Sequence, residues 1–303
     1  MVIQAEADNE KEKSMKQEET QKPLIIFLGI TFALSIFLSI IIGATGGAES
    51  NLAGLGLTAM LFPGLAVLIM KLVFKAPVPD AGWTRFPLKW LPALFIIPIA
   101  IHAICLPVTA LLNDYTLPWQ SWLTPDENGL YHTPEKRGWG VLTAGGLALR
   151  IFQNALVGII VVSIFAFFEE IGWRAWMLPR LVNRFNIRTG VLLSSIIWAI
   201  WHTPFVLGGI HHIEGTPMLA LLLLNPLGHI GAGNVNGWLW IRTQSIWIVS
   251  LAHGALNNWG QYAFKYMGDG PGEGGIWLLV ALNLTLFTLG TAFLLRLKNQ
   301  NDA

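Results

Sequence analysis

The sequence predicts an all-α, polytopic membrane protein with about eight transmembrane helices, and three observations support this fold class. First, 53% of the 303 residues are hydrophobic and only 12% are charged, whereas about a quarter of the residues in a soluble domain are charged. Second, apolar runs of about 20 residues, the length that crosses a bilayer as a helix, recur along the chain. Third, neither a separate polar domain nor an internal repeat interrupts these runs. We therefore expect residues 23–303 to form a single transmembrane domain.

The N-terminal segment, residues 1–22, is polar, has mixed charge and contains almost no large apolar side chains. Such a segment buries too little apolar surface to offset the entropy lost on ordering, so a disordered cytoplasmic tail is predicted. The first apolar run, 24–44, is not preceded by a cleavable signal pattern, and we interpret it as an uncleaved anchor.

Seven further apolar runs predict the remaining helices. They lie at about 53–74, 90–112, 152–177, 189–208, 218–241, 245–262 and 276–296. The fourth helix includes an acidic pair, because apolar residues resume after the pair, and Pro179 is expected to end this helix. Polar residues interrupt the sixth helix, but its glycines permit close contact with neighbouring helices, which favours an interior position.

The distribution of basic residues predicts the orientation of these helices. With eight helices both termini lie on the same side, and fourteen lysines and arginines fall on that side against three on the other. Because cytoplasmic segments carry such an excess, we expect both termini in the cytoplasm, and the cell membrane if the source is prokaryotic. The net charge of +1 without a basic stripe argues against nucleic acid as a partner. The lipid bilayer is the first partner that the sequence predicts.

A few polar residues stand within the apolar runs. Glu169 and Glu170 follow the apolar stretch 151–168, and Arg174 comes four residues after the second acid. A carboxylate in hydrocarbon surroundings costs several kcal/mol, and one arginine cannot neutralise two of them. Ionisable residues within a membrane span therefore indicate a functional site by default.

Three of these groups, on different helices, are predicted to lie at a similar depth. Counting from the basic end of each helix at about 1.5 Å per residue, Glu169 lies roughly 16 Å deep, His202 roughly 20 Å and His253 roughly 16 Å. Hydrophobic packing does not require that coincidence, whereas a shared polar site near the middle of the bilayer does.

Spacing within the helices suggests how these side chains are divided. Glu170 and Arg174 are four residues apart with the acid first, the favourable order for an ion pair on one helix face. Glu169 is turned about 100° from Glu170 and need not share that arginine, so we leave it free for chemistry. His253 and Asn257, also four residues apart, project together from one face.

The three local patterns together resemble the motifs of the CPBP family. These patterns are Glu-Glu-x-x-x-Arg at 169–174, aromatic-x-x-x-His at 198–202 and His-x-x-x-Asn at 253–257. The family comprises the type II CAAX prenyl endopeptidases and bacteriocin-processing relatives, which are intramembrane proteases. The resemblance covers a motif-bearing core at about 150–262. Trp198 stands where the family usually has Phe, so the aromatic ring is kept.

The resemblance implies a hydrolase and assigns a role to each motif residue. Glu169 with His202 would activate a water that attacks a peptide carbonyl, and His253 with Asn257 would stabilise the oxyanion. These roles suit the residue types, because a carboxylate can act as a general base and an amide N–H can face developing negative charge. The expected substrate is a membrane-associated peptide, with a prenylated CAAX-type C-terminus, a bacteriocin leader and another membrane protein left open.

Metal dependence is a separate question. Glu169, His202 and His253 could bind zinc and leave one coordination position open for water. The chain contains no His-Glu-x-x-His motif, and ligands spread over three helices are less diagnostic than such a local motif. We therefore expect no cofactor, and we keep zinc bound by these three residues as the alternative.

Other interpretations compete with catalysis. An intramembrane histidine is more often an interhelical hydrogen-bond partner, which is our interpretation of His102 and His229. His211 and His212 fall in a short loop and are expected to be solvated. A proton-coupled transporter is the main functional alternative, although no inverted repeat supports it. A catalytically idle bacteriocin-immunity protein of the same fold is another, against which the intact motifs argue.

Overall fold

The computed structural model describes the backbone of residues 2–113, 124–133, 139–211, 213, 216–265 and 274–298. Within these ranges, side chains are described except at 2–20, 106–113, 154, 261–265 and 274–275. The described part is almost entirely helical, so the predicted all-α class is confirmed. One short antiparallel hairpin, β1 (Tyr131–His132) with β2 (Val141–Leu142), precedes the helices that carry the acidic pair.

The α-helices follow the predicted apolar runs closely. In chain order they are α1 (Val2–Ala44), α2 (Phe62–Leu72), α3 (Leu91–Asn113), α4 (Ala144–Gln153), α5 (Ile159–Glu170), α6 (Leu178–Arg184), α7 (Ile187–Trp201), α8 (Thr203–Leu207), α9 (Met218–Thr243), α10 (Ile246–Lys265) and α11 (Gly274–Leu295). Short 3₁₀ turns at Gly47–Glu49, Ala53–Leu61 and Leu88–Trp90 precede or extend α2 and α3.

Among the described residues, seven helical segments are long and apolar enough to cross a bilayer. They are Gln21–Ala44, Ala53–Leu72, Leu88–Cys105, Ala144–Arg184, Ile187–Leu207, Met218–Thr243 and Ile276–Leu295. The seventh predicted helix, 245–262, is not among these segments but is present as α10, whose side chains are described only as far as Gly260. The chain is therefore an integral, multi-pass membrane protein. Helix α1 reaches back to Val2 through the segment predicted as a disordered tail. Side chains are not described before Gln21, so that tail stays a prediction.

One helix boundary was predicted wrongly. The fourth helix does not end at Pro179, because helical turns run without interruption from Ala144 to Arg184. Two π-helical segments, Asn154–Gly158 and Ile171–Met177, are built into this length. The second one ends immediately before the first turn of α6, where Pro179 lies, and a proline is tolerated in a first turn. The wide π turn thus lets the chain continue past a residue that normally stops a helix.

The second motif helix is defined by local signals at both ends. The Asn186 side chain accepts a hydrogen bond from the Thr189 backbone N–H at 2.9 Å, which caps the start of α7. The helix ends at Trp201, and α8 begins at Thr203 with Pro204 in its first turn. His202 therefore occupies the junction between two helices.

Close helix packing brings the motif-bearing helices together. Helix α9 packs mainly against α11 and α7, and α10 packs mainly against α5. A Cβ at Gly290 would lie 2.1 Å from the backbone oxygen of Gly231, and a Cβ at Gly254 would meet Ser163. Only glycine permits these contacts between α9 and α11 and between α10 and α5. The predicted close contact of the sixth helix with its neighbours is thereby confirmed.

Candidate active site

The acidic pair is fully inside the protein. Glu169 and Glu170 are 2% and 0% exposed, and they end α5 just before the π-helical segment Ile171–Met177. π turns within helices are frequently found at functional sites, because they change the direction in which successive side chains point. Two buried carboxylates need partners, and the structure provides a different set for each.

Glu170 connects the first motif to the third. Its Oε1 accepts a hydrogen bond from Arg174 Nη1 at 2.9 Å and lies 2.7 Å from His253 Nδ1. The predicted ion pair with Arg174 is present and has 0–1% exposed side chains. The sequence pairs Glu170 with Arg174 alone, whereas the structure adds His253. Glu170 thus anchors one ring nitrogen of that histidine as well.

Glu169 is bound to the second motif instead. Its Oε2 accepts a hydrogen bond from the indole Nε1–H of Trp198 at 2.9 Å. The Arg174 guanidinium carbon lies 4.8 Å from the centroid of the same indole ring, the geometry of a cation–π contact. Trp198 therefore touches both the free carboxylate and the cation of the ion pair, which its aromatic character alone did not predict.

The same tryptophan packs against three imidazole rings. Its ring centroid lies 4.8 Å from that of His202, 5.2 Å from that of His253 and 5.5 Å from that of His229, all edge to face. The α7–α8 junction, α9 and α10 supply these rings, and α5 supplies the acid that the indole binds. Trp198 thus lies at the centre of the candidate active site.

Backbone carbonyls fix the tautomers of two of these histidines. His202 Nδ1 lies 2.7 Å from the carbonyl oxygen of Trp198, and His229 Nδ1 lies 2.7 Å from that of Asn225. A carbonyl oxygen only accepts hydrogen bonds, so each Nδ1 carries the proton. The neutral rings therefore keep an unprotonated Nε2, which can accept a proton from water or bind a metal.

The structure also corrects the interpretation of two histidines. His229, predicted to be an interhelical hydrogen-bond partner, stacks on His202 with ring centroids 3.8 Å apart. His211, predicted together with His212 to be solvated, has its ring centroid 5.8 Å from that of His202, and His212 lies outside the described residues. Burial lowers the pKa of His211 to about 4, so this loop histidine is neutral at pH 7. The candidate site thus has four imidazoles rather than two.

A signal for His229 was available in the sequence. Asn225, His229 and Asn236 are spaced by four and seven residues and so share one face of α9. Together with Thr203 and His202, the first two line a small cavity of about 10 Å³ between α9 and the α7–α8 junction. The polar residues that interrupt this helix in the sequence therefore mark the face turned toward the site.

The buried charges nearly balance. Two carboxylates and one guanidinium leave one negative charge if all the imidazoles are neutral. A proton on His253 would neutralise it, and the Glu170 carboxylate, 2.7 Å from His253 Nδ1, can stabilise that imidazolium. His253 can donate a hydrogen bond from Nε2 only in this charged form, because its Nδ1–H is directed at Glu170.

Asn257, the last predicted site residue, lies one turn beyond His253 on α10 and is half-buried. The spacing of four residues places both side chains on one face of the helix, the face that reaches Glu170. The predicted site residues thus lie on the continuous helical length from Ala144 to Arg184, at the α7–α8 junction and on α10.

The zinc alternative requires three ligands around one point. Within the ranges that the structure describes, no three His, Cys, Asp or Glu side chains are arranged to hold a common ion. Glu169, His202 and His253 do not converge on one point as placed here. The zinc alternative would require these side chains to move, and the expectation of a metal-free site stays a prediction.

Two sequence comparisons with known proteins bear on the segment that contains the candidate site. Residues 151–259 match the sequence model of the type II CAAX prenyl endopeptidase Rce1-like family. The CAAX prenyl protease 2 of Methanococcus maripaludis is 37% identical to this chain over 41 residues, which cover 14% of this chain and 15% of that protein. The match thus spans about a seventh of the curated relative. The family resemblance is confirmed for the segment from 151 to 259, which contains every residue of the candidate site.

Proposed function

We propose that the protein is an intramembrane endopeptidase that hydrolyses a peptide bond with a water activated by Glu169. The observation that carries this proposal is the different bonding of the two buried acids. Glu170 is engaged by Arg174 and His253, whereas Glu169 accepts one described hydrogen bond, from Trp198. A carboxylate with a second oxygen available in a buried polar site suits a general base.

The proposed first step is attack by the oxygen of this water on the substrate carbonyl carbon. One water proton passes to the Glu169 carboxylate while the new C–O bond forms. His202, whose Nε2 is unprotonated, accepts a hydrogen bond from the other water proton and so orients the water. Packing of both groups against Trp198 supports this arrangement, because the indole fixes their relative positions.

The proposed second step is collapse of the tetrahedral intermediate. His253, as an imidazolium supported by Glu170, and the Asn257 amide would donate hydrogen bonds to the oxyanion. As the C–N bond breaks, the proton held by Glu169 passes to the departing amine nitrogen, and the carboxylate is regenerated. Charge balance supports these protonation states, since Glu169, Glu170, Arg174 and a charged His253 sum to zero.

The substrate class follows from the family rather than from the geometry. The Rce1-like match supports a CAAX-type endopeptidase at the level of the family. We propose a membrane-associated peptide as the substrate, with a prenylated C-terminal CAAX peptide as the first candidate. We further propose that both termini are cytoplasmic, which the excess of basic residues on one side supports.

Proteolysis by the purified protein in lipid nanodiscs tests this function. The substrates are a farnesylated CAAX peptide, the same peptide without the lipid, and an unrelated transmembrane peptide, with products identified by mass spectrometry. We expect cleavage by the native protein and a loss of about 10²-fold or more in Glu169→Gln, because an amide is a poor base. Glu49→Gln, at an exposed acid outside the site, is the matched control.

The outcome also separates the proposal from the transporter. Cleavage that is unchanged in Glu169→Gln would show that this carboxylate is not the base. Proton-coupled uptake by liposomes without cleavage of any peptide in the set would replace the endopeptidase by the transporter.

A further inference from the structure

A second, larger cavity lies beside the candidate active site. It has a volume of about 110 Å³, and only aliphatic and aromatic side chains and a proline line it. The lining comes from α3, α9, α10 and α11 and the turn before α3, and includes Ile97, Leu239, Leu256 and Leu286. Ile97 is 47% exposed on the surface of α3, so the cavity adjoins the surface that faces lipid.

Aromatic rings line one end of this apolar cavity, and an arginine guanidinium lies near two of these rings. Trp90 and Trp238 have ring centroids 5.5 Å apart, and Trp238 and Phe293 have centroids 4.7 Å apart. The Arg242 guanidinium carbon lies 5.9 Å from the Trp238 ring centroid, and that of Arg296 lies 5.6 Å from the Phe293 centroid. Both arginines are exposed and lie at the C-terminal ends of α9 and α11. The aromatic end therefore faces one membrane–water interface, with two guanidinium groups beside it.

The sequence leaves this positive charge without acids on the same helices. Residues 88–113, 218–265 and 274–298, which form the walls, contain no Asp or Glu, whereas Lys89 and Lys298 add to the cations at this end. A long apolar cavity with positive charge at its interfacial end is complementary to an amphiphile with an anionic head.

We propose that this cavity binds an anionic phospholipid, with one acyl chain in the apolar interior and the phosphate beside Arg242 and Arg296. An acyl chain gains no hydrophobic free energy by leaving a bilayer whose interior is as apolar as the cavity. Selection of the ligand must therefore come from the head group and from packing. Two arginines at the interface supply that selection, because each attracts anionic lipid.

This lipid is distinct from the substrate of the proposed function. Ala252 and Leu256 of α10 line the cavity, whereas His253 on the next position reaches Glu170 of α5. No residue of α5 lines the cavity among those described, so α10 separates it from the acidic pair. A bound acyl chain supports α10 from behind and leaves the active site open to a peptide.

Native mass spectrometry of the full-length protein with retained lipid tests the inference without any measurement of cleavage. The protein is equilibrated in mixed micelles with equimolar dioleoyl-phosphatidylglycerol and dioleoyl-phosphatidylcholine, which have the same chains. We expect one phosphatidylglycerol to be retained in preference, and Arg242→Gln with Arg296→Gln to reduce that preference about thirtyfold. Lys71→Gln with Lys75→Gln, at two exposed cations on a different helix hairpin, is the matched control.

A second variant tests the interior of the cavity. Ala93→Phe fills space between α3 and the opposite wall, so retention of phosphatidylglycerol should fall while Arg242 and Arg296 are intact. Thermal unfolding verifies that each variant is folded. Equal retention of both lipids, a preference unchanged in the double arginine variant, or displacement of the lipid by a farnesylated peptide would overturn the proposal. Because the readout is binding, failure here leaves the proposed endopeptidase untouched, and the reverse also holds.

Discussion

The carboxylate of Glu170 lies 2.7 Å from His253 Nδ1, so the first and third motifs are joined by one buried hydrogen bond. The same oxygen accepts from Arg174 at 2.9 Å, which fixes the carboxylate from the other side. His253 is thereby oriented with Nε2 directed away from Glu170. The second acid of the motif thus positions a histidine, in addition to forming an ion pair within its own helix.

Replacement of Glu170 should cost both stability and activity. Glu170→Gln leaves the buried Arg174 without its anion and weakens the bond to His253, so we expect the free energy of unfolding to fall by about 3–5 kcal/mol. Glu169→Gln leaves that ion pair intact and should lose turnover with little change in stability. The free energy of unfolding in nanodiscs and the cleavage rate, measured for both variants, distinguish the two roles. Equal, purely catalytic losses at both positions would contradict this division.

Trp198→Phe isolates the indole N–H that binds Glu169. The ring is kept, but a buried carboxylate loses a donor worth about 1.5–3 kcal/mol, so we expect kcat to fall at least tenfold. Trp201→Phe is the control, because Trp201 lies on the same helix as Trp198 but its indole donates to Ser35 Oγ of α1, at 2.7 Å, rather than to an acid. Similar stability losses with a rate loss only at Trp198 are the expected result. Identical rates in the two variants would remove Trp198 from the site.

His229 should matter for activity although no motif includes it. His229→Phe keeps a ring stacked on His202 but removes the Nε2 lone pair from the small cavity, and we expect cleavage to fall at least tenfold. His102→Phe is matched, because His102 Nδ1 also bonds the carbonyl four residues before it, at 2.7 Å, on α3. A rate near that of the native protein in His229→Phe would return His229 to a packing role.

Helix positions and the members of the site were predictable because they depend on composition and spacing. Apolar length defined the spans, and the interval of four residues placed Arg174 beside Glu170 and Asn257 one turn after His253. The similar depth of three polar groups on different helices predicted one shared site, and all three groups contact Trp198. Each of these predictions depends only on residue positions within a single helix.

The remaining contacts could not be read from spacing because they depend on how helices rotate against one another. The π-helical segment Ile171–Met177 shifts the phase after the acids, and the tight glycine contacts set the rotation of α9. The packed helices bring Trp198 to Glu169 and His229 to His202. The bond from the Trp198 indole could not be predicted from spacing, whereas the polar residues spaced along one face of α9 already pointed to His229.

Topology is a separate, testable expectation. With fourteen basic residues on one side against three, reporter tags fused at residue 1 and at residue 303 should both be cytoplasmic. A tag inserted in the 263–275 segment should report the opposite side. The check is accessibility of each tag in intact and in permeabilised cells. Termini on opposite sides would mean that the number of membrane-crossing helices is odd.

Metal content decides between the two mechanisms that the motif residues allow. In the metal-free mechanism Glu169 and His202 share a water, and His253 with Asn257 faces the oxyanion, so no ligand position has to be filled. We therefore expect purified protein to contain no stoichiometric zinc by elemental analysis, and cleavage to persist in phenanthroline.

The zinc mechanism makes the opposite prediction for individual residues. If Glu169, His202 and His253 were ligands, alanine at each should lower the bound metal, because removal of one ligand weakens a three-ligand site. Asn257→Ala would then slow cleavage without releasing metal, which serves as the control. The hydrogen bond between His253 Nδ1 and Glu170 suits either role, since a ligating histidine also has its second nitrogen bound to an acceptor. One equivalent of zinc in the native protein, lost together with activity in His253→Ala, would therefore overturn the metal-free mechanism.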